Sequence, residues 1–149
     1  KLDLPIFGFD RMTQEAFLKA AGKAAEGVVL AVTMNPESRD PGWLAFRQRY
    51  MSRWSEEPDT FAAHAYDGMN MILAATRKAG LNRPRIRDEL FGLASYHGVS
   101  GEIVFDTNMS NVGPTWLAVV MDGRFKYMPA QPWGEPRAGV QPASREKQP

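Results

Sequence analysis

The sequence predicts an α/β fold in which a βαβ unit is followed by a three-helix segment, a strand and a β-hairpin. Two observations carry this prediction. Between Leu4 and Thr33, a short apolar run, an amphipathic stretch and an all-apolar β-branched run succeed one another, as in a strand–helix–strand unit. Further on, Asp122-Gly123 separates two strand-like runs. An Asp-Gly pair favours a hairpin because a type I′ turn needs positive φ at both positions.

The βαβ unit begins with a predicted strand at residues 4–9. Thr13 is expected to cap the helix that follows, since its side-chain oxygen can accept a backbone N–H. Gly22 fits the position just past that helix, where positive φ is often needed. Residues 28–32 are apolar without alternation, which predicts a strand buried on both faces. The two strands are then parallel and joined by a right-handed crossover.

Three helices are predicted after this unit. The first starts with Asp40 as cap and a proline at the first helical position. The second covers about residues 60–79, and its wide apolar surface predicts a well-buried helix. The third covers about residues 84–95, and a strand is predicted at residues 102–106. Three consecutive helices fit one doubly wound sheet poorly, so the chain is expected to leave one layered unit and return to it later.

Composition excludes several classes of function. The net charge of the 149 residues is +1, which gives no electrostatic case for a nucleic-acid partner. The chain has no cysteine, which excludes disulfides and thiolate metal sites. His64 and His97 lack metal-ligand spacing, and there is no phosphate loop or nucleophile elbow. The sequence therefore predicts no metal, no cofactor and no enzymatic activity.

The loop after the first predicted strand carries the candidate ligand contacts. In βαβ units, ligands lie beyond the carboxyl ends of the strands, and Asp10 stands one residue past this strand. Arg11 could pair with a carboxylate on a ligand, and Phe9 could stack on a ligand side chain. Each residue also has an interpretation without a ligand. Asp10 could be a helix cap or a solvated charge. Arg11 could be a surface arginine, and Phe9 could be a core residue at the end of a strand.

Five segments, in order, resemble type I periplasmic solute-binding proteins of the leucine/isoleucine/valine-binding family. They are AGKAAEGVVLAVTMNP (21–36), AAHAYDGMNMILAATRKAG (62–80), IRDEL (86–90), GVSGEIVFDTNMSN (98–111) and WLAVVMDGRF (116–125). The resemblance extends over nearly everything from Leu4 to Met128. It implies the periplasmic-binding-protein type I fold, with two flavodoxin-like α/β lobes that close on a ligand, here present in part.

The resemblance also implies a division of the chain. Residues 1–34 would form a βαβ segment of the second lobe, residues 35–117 would return to the first lobe, and residues 118–128 would be closing strands of the second lobe. Residues 129–149 are rich in proline and charge and are expected to be a tail. The first-lobe loop that grips the ligand's carboxylate is expected to be absent. A missing N-terminal portion of the same protein, or a homodimer partner, would then complete the site.

In amino-acid-binding members, an acidic residue at the position of Asp10 contacts the ligand's ammonium group. The resemblance thus implies the extracytoplasmic solute-binding component of an ABC importer, periplasmic or extracellular, lipid-anchored or secreted. It would bind a branched-chain or other small amino acid by hinge closure and dock on a membrane permease. A ligand-sensing domain of the same fold is the alternative. A flavodoxin-like enzyme is disfavoured because the sequence has no nucleophile motif or carboxylate dyad.

Overall fold

The computed structural model describes residues 4–130, and every structural statement below concerns this part of the chain. All but the first two residues of the predicted tail, 129–149, lie outside it. The elements in chain order are β1 (Phe7–Phe9), α1 (Glu15–Ala21), β2 (Val29–Val32), α2 (Pro41–Trp54), α3 (Thr60–Ala79), α4 (Arg83–Phe91), β3 (Ser95–Gly98), β4 (Gly101–Val104), β5 (Trp116–Met121) and β6 (Arg124–Pro129).

Four strands form the main sheet in the order β1-β2-β5-β6. β1 and β2 are parallel, with Gly8 opposite Leu30, as a βαβ unit requires. β5 runs antiparallel to β2 and places Ala118 opposite Leu30. β5 and β6 form the predicted hairpin, and its turn residues Asp122 and Gly123 have φ angles of 53° and 69°. The predicted α/β fold is therefore confirmed.

One face of this sheet is covered by a helix, and the other face is open. On one face, Leu30 and Ala118 are 0% exposed and pack beneath α1. On the other face, Phe7 and Phe9 are 72% and 75% exposed, and Ala31 beside them is also exposed. The prediction that residues 28–32 are buried on both faces is therefore wrong for the described chain. Their side chains alternate in burial because a helix packs on one side only.

Thr13 does not cap α1 as predicted. Its hydroxyl donates a hydrogen bond of 2.5 Å to the backbone carbonyl of Asp10, and Gln14 precedes the helix without a side-chain cap. Asp10 to Met12 form a single 3₁₀ turn, and Thr13 closes it. Thr13 therefore lies one residue too early to cap α1, and its side chain bonds to the preceding turn, as threonine often does. Gly22 ends α1 with a φ of 52°, as predicted.

The three-helix segment is present, with one correction at its end. α2 is capped by Asp40, whose carboxylate accepts hydrogen bonds from the backbone N–H groups of Gly42 and Trp43. The predicted third helix, residues 84–95, stops earlier, because residues from Ser95 onward form strand β3 and pair with β4. The sequence prediction missed β3. The prediction of a well-buried α3 is also wrong here, since Met69, for example, is 56% exposed.

A buried carboxylate fastens the β3–β4 hairpin to α3. Asp67 is 1% exposed and accepts hydrogen bonds from the backbone N–H groups of Val99 (2.8 Å) and Ser100 (2.9 Å) and from the Ser100 hydroxyl (2.6 Å). A Cβ atom at Gly98 would collide with this carboxylate, so glycine permits the close approach. The Asp67 side chain therefore positions the hairpin through three hydrogen bonds that both of its oxygens accept. No described helix is long and apolar enough to cross a membrane.

Candidate ligand-binding site

The loops at the carboxyl ends of β1 and β2 face the beginning of α3. Two contacts join these loops to α3. Thr33, directly after β2, has its hydroxyl 2.7 Å from Nε2 of His64 on α3. Arg11, in the turn after β1, lies over the ring of Phe61 in the first turn of α3. The strand ends and α3 therefore enclose a junction at the place where α/β proteins bind ligands.

Arg11 and Phe61 define the most distinctive cavity of this junction. The guanidinium carbon of Arg11 is 5.8 Å from the centroid of the Phe61 ring, a distance at which cation–π attraction operates. Gln14 joins them, and these three side chains line an open cavity of about 310 Å³. The cavity thus combines a positive charge, an amide and an aromatic wall. These groups can bind a small polar solute but lack a nucleophile.

Asp10 and Phe9 stand beside this cavity and do not line it. Asp10 is half-buried at the start of the 3₁₀ turn, and its carboxylate accepts no hydrogen bond from any residue between 4 and 130. It does not cap α1. Phe9 projects from the open face of the sheet, where it is 75% exposed. Of the three candidate residues, Arg11 is the one whose side chain lies over a residue of α3.

Two further cavities flank the junction. One, of about 250 Å³, lies between the end of β2 and the segment that leads into α3. Burial raises the pKa of the Tyr127 hydroxyl in its wall. The other, of about 130 Å³, lies between the segment after β2 and the β3–β4 turn. Two further cavities therefore lie next to the junction.

His97 lies beside the smallest of these cavities and between two carboxylates that line it. Its Nδ1 is 3.2 Å from Glu102 and its Nε2 is 3.4 Å from Asp40. Hydrogen bonding to Glu102 first, and then to Asp40, raises the pKa of His97. The pKa of Asp40 is lowered, chiefly by the backbone N–H of Trp43 that its cap position supplies. Within residues 4–130, no group of three or more acidic or histidine side chains is arranged to hold a metal ion.

Sequence reasoning missed Phe61 and Gln14 as members of the site. Helical periodicity marks Phe61 as a core position of α3, yet the side chain is 45% exposed and faces Arg11. One signal could have found it. Asp59 caps α3, and Phe61 stands two positions later. Phe61 therefore lies at the beginning of α3, which is the end of the helix that faces the strand ends.

The family comparison identifies this architecture. A family model described as "Periplasmic binding protein" matches residues 3–124. A solved structure from Rhodospirillum rubrum, provisionally described as a branched-chain amino acid ABC transporter, is 31% identical with a TM-score of 0.69. The substrate-binding protein LivJ of Streptococcus pneumoniae, solved with isoleucine, is 27% identical with a TM-score of 0.74. A substrate-binding protein of Desulfitobacterium hafniense, solved with leucine, is 25% identical with a TM-score of 0.70.

These matches cover most of this chain and a smaller share of the relatives. They cover 85%, 87% and 85% of the chain, and 38%, 38% and 36% of the three solved chains. No match was found among curated proteins. The fold is thus a part of the periplasmic-binding-protein type I fold, and the family description indicates a periplasmic or extracellular location. The relatives are described as transport proteins and not as enzymes. The chain belongs to the periplasmic binding protein family.

Proposed function

We propose that this chain is part of the substrate-binding component of an ABC importer and that it binds a small amino acid at the junction between the strand ends and α3. The observation that supports this most directly is the charged turn Asp10–Met12, which follows a parallel strand and faces α3. The relatives solved with isoleucine and leucine support an amino acid as the ligand class.

Asp10 is the proposed partner of the ligand's ammonium group. Its carboxylate is half-buried and free of protein donors within residues 4–130, so a ligand would not have to displace an existing partner. A carboxylate–ammonium pair that is desolvated on binding contributes mainly to specificity. Phe9 and Arg11 are proposed as further ligand contacts on either side of Asp10.

The proposed mechanism is hinge closure and not chemistry. The chain leaves the main sheet after β2 and returns to it at β5, so two covalent crossings join the sheet to the helical segment. In the proposed division, residues 1–34 and 118–128 belong to the second lobe and residues 35–117 to the first. A ligand that contacts both sides binds the closed form better and shifts the population toward it.

The remaining partners follow from the same proposal. The whole protein would be lipid-anchored or secreted and would deliver its ligand to a membrane permease. The chain spans less than two-fifths of the length of its solved relatives. Further sheet and helix elements, from an N-terminal portion of the same protein or from a homodimer partner, would cover the open sheet face around Phe7 and Phe9 and complete the ligand site.

Calorimetric titration of the full-length protein with the common amino acids tests this proposal. We expect at least one to bind, and Asp10→Asn to weaken its binding by about tenfold or more, because a buried charged hydrogen bond is worth about 1.5–3 kcal/mol. Asp88→Asn, which changes an exposed carboxylate on α4, is the matched control and should leave the affinity unchanged. The proposal fails if no amino acid binds. The assignment of Asp10 fails if both variants bind like the wild type.

A further inference from the structure

Among the described arginines that form no ion pair, Arg11 is the one that lines the cavity at the proposed site. The guanidinium groups of Arg47 and Arg87 are paired with Glu57 and Asp88. Arg11 forms no ion pair with any residue between 4 and 130, although it lies at the junction proposed to bind ligand. Its protein neighbours there are an aromatic ring and an amide.

The contact with Phe61 leaves the donors of Arg11 available. A cation–π contact supplies no oxygen acceptor, so the N–H groups of the guanidinium still need one. Those groups form the fork that matches both oxygens of a carboxylate. Gln14 adds an amide at the same cavity, and the Phe61 ring gives an apolar wall for a short carbon chain.

We propose that Arg11 determines ligand specificity by binding a side-chain carboxylate, so that the solute is an acidic amino acid of the glutamate type. This inference rests on the proposed function. Asp10 and Arg11 are adjacent in one turn and present opposite charges, which suits a solute with an ammonium group and an additional carboxylate. A neutral amino acid would bring no side-chain carboxylate to Arg11 in the closed site, and an incompletely paired buried charge is costly.

The decisive pair of probes is L-glutamate and L-glutamine, which have nearly the same shape and differ in the charge of the side chain. Both are titrated into the full-length protein by calorimetry. We expect glutamate to bind about tenfold or more tightly than glutamine, since glutamine offers one neutral acceptor oxygen in place of the two charged oxygens that match the Arg11 fork. Arg11→Met should reduce the ratio of the two affinities to near one.

Two further variants separate recognition from packing. Arg11→Lys keeps a cation that can contact Phe61 but loses the two-donor fork, so the preference for glutamate should fall between those of the wild type and Arg11→Met. Arg85→Met removes an exposed arginine of α4 and should keep the full preference.

Equal binding of glutamate and glutamine by the wild type overturns this inference and leaves the proposed function intact. The same conclusion follows if Arg11→Met weakens both ligands by the same factor, because Arg11 would then contact a group that they share. Binding of no amino acid at all overturns the proposed function together with this inference.

Discussion

Two aspartates, Asp67 and Asp10, show how the same side chain serves two purposes in this molecule. Asp67 is 1% exposed, and its carboxylate accepts three hydrogen bonds from the β3–β4 turn. Asp10 is half-buried at the end of β1, and its carboxylate accepts none from the described residues. A carboxylate that accepts several hydrogen bonds from a distant part of the chain holds the fold together. A carboxylate with open acceptor sites at a strand end is available to a ligand.

The largest effect is expected from removal of the Asp67 carboxylate. Asp67→Ala leaves two backbone N–H groups and one hydroxyl without acceptors in a buried place, at about 1–3 kcal/mol for each unsatisfied group. Because water can enter the enlarged space, we expect a loss of about 3 kcal/mol in the free energy of unfolding. Urea unfolding followed by circular dichroism measures it. A loss below about 1 kcal/mol would contradict the role assigned to Asp67.

The second largest loss of stability is expected at Gly98, which lies against the Asp67 carboxylate. Gly98→Ala places a Cβ against the Asp67 carboxylate, so either the hairpin or the helix must shift. We expect a loss of about 1–3 kcal/mol, the usual range for forced overpacking. Gly68→Ala is the matched control, because a Cβ there meets nothing within 4 Å. It should be neutral or slightly stabilising, since alanine favours helix over glycine. Equal losses in the two variants would contradict the close approach.

His97 lies between these two extremes, because it makes ion contacts with two carboxylates that are only partly buried. It faces the carboxylates of Glu102 and Asp40, which raise its pKa above the ordinary value of 6.5. Protonated His97 therefore stabilises the fold fully below pH 6.5, and this contribution is lost as pH rises through the raised pKa. The effect should be small because the group is exposed. Thermal unfolding between pH 6 and 8 should show it.

The control for this titration is the other histidine. His97→Gln should flatten the dependence of the melting temperature on pH, whereas His64→Gln, which changes a contact to a hydroxyl, should keep it. If the two variants have the same pH profile as the wild type, the ion contacts of His97 do not contribute to stability.

The smallest effect on stability is expected at Asp10. Asp10→Ala should change the free energy of unfolding by less than about 0.5 kcal/mol, the range for residues without buried or bonded contacts. The comparison with Asp67 is sharpest if the same variant also loses ligand affinity. A large loss of stability in Asp10→Ala would contradict the view that its carboxylate is free.

Local signals predicted one turn and two helix ends correctly. Asp40 caps α2, Gly22 ends α1, and Asp122-Gly123 forms the β5–β6 turn, as predicted. Each of these depends on atoms within a few residues, so residue type alone carries the information. The prediction for Thr13 was wrong because the position before α1 belongs to Gln14, and the Thr13 hydroxyl donates to the turn after β1.

Other features depend on parts of the chain that are far apart in sequence. The apolar composition of residues 28–32 predicts burial but cannot say which neighbour provides it, and one face is open here. Strand β3 was missed because Ser95–Gly98 contains neither a β-branched run nor an alternation, and only its pairing with β4 makes it a strand.

The amino-acid sequence alone was enough to specify the α/β class, the βαβ unit, the hairpin turn and the charged loop at Asp10, because these follow from periodicity and from contacts a few residues apart. It could not specify that Arg11 meets Phe61 or that Asp67 meets the turn at Val99, which is 32 positions away. Such contacts arise when packing brings distant elements together, and the pattern of neither element records its partner. The candidate site is therefore a loop that the sequence identifies and a wall on α3 that folding supplies.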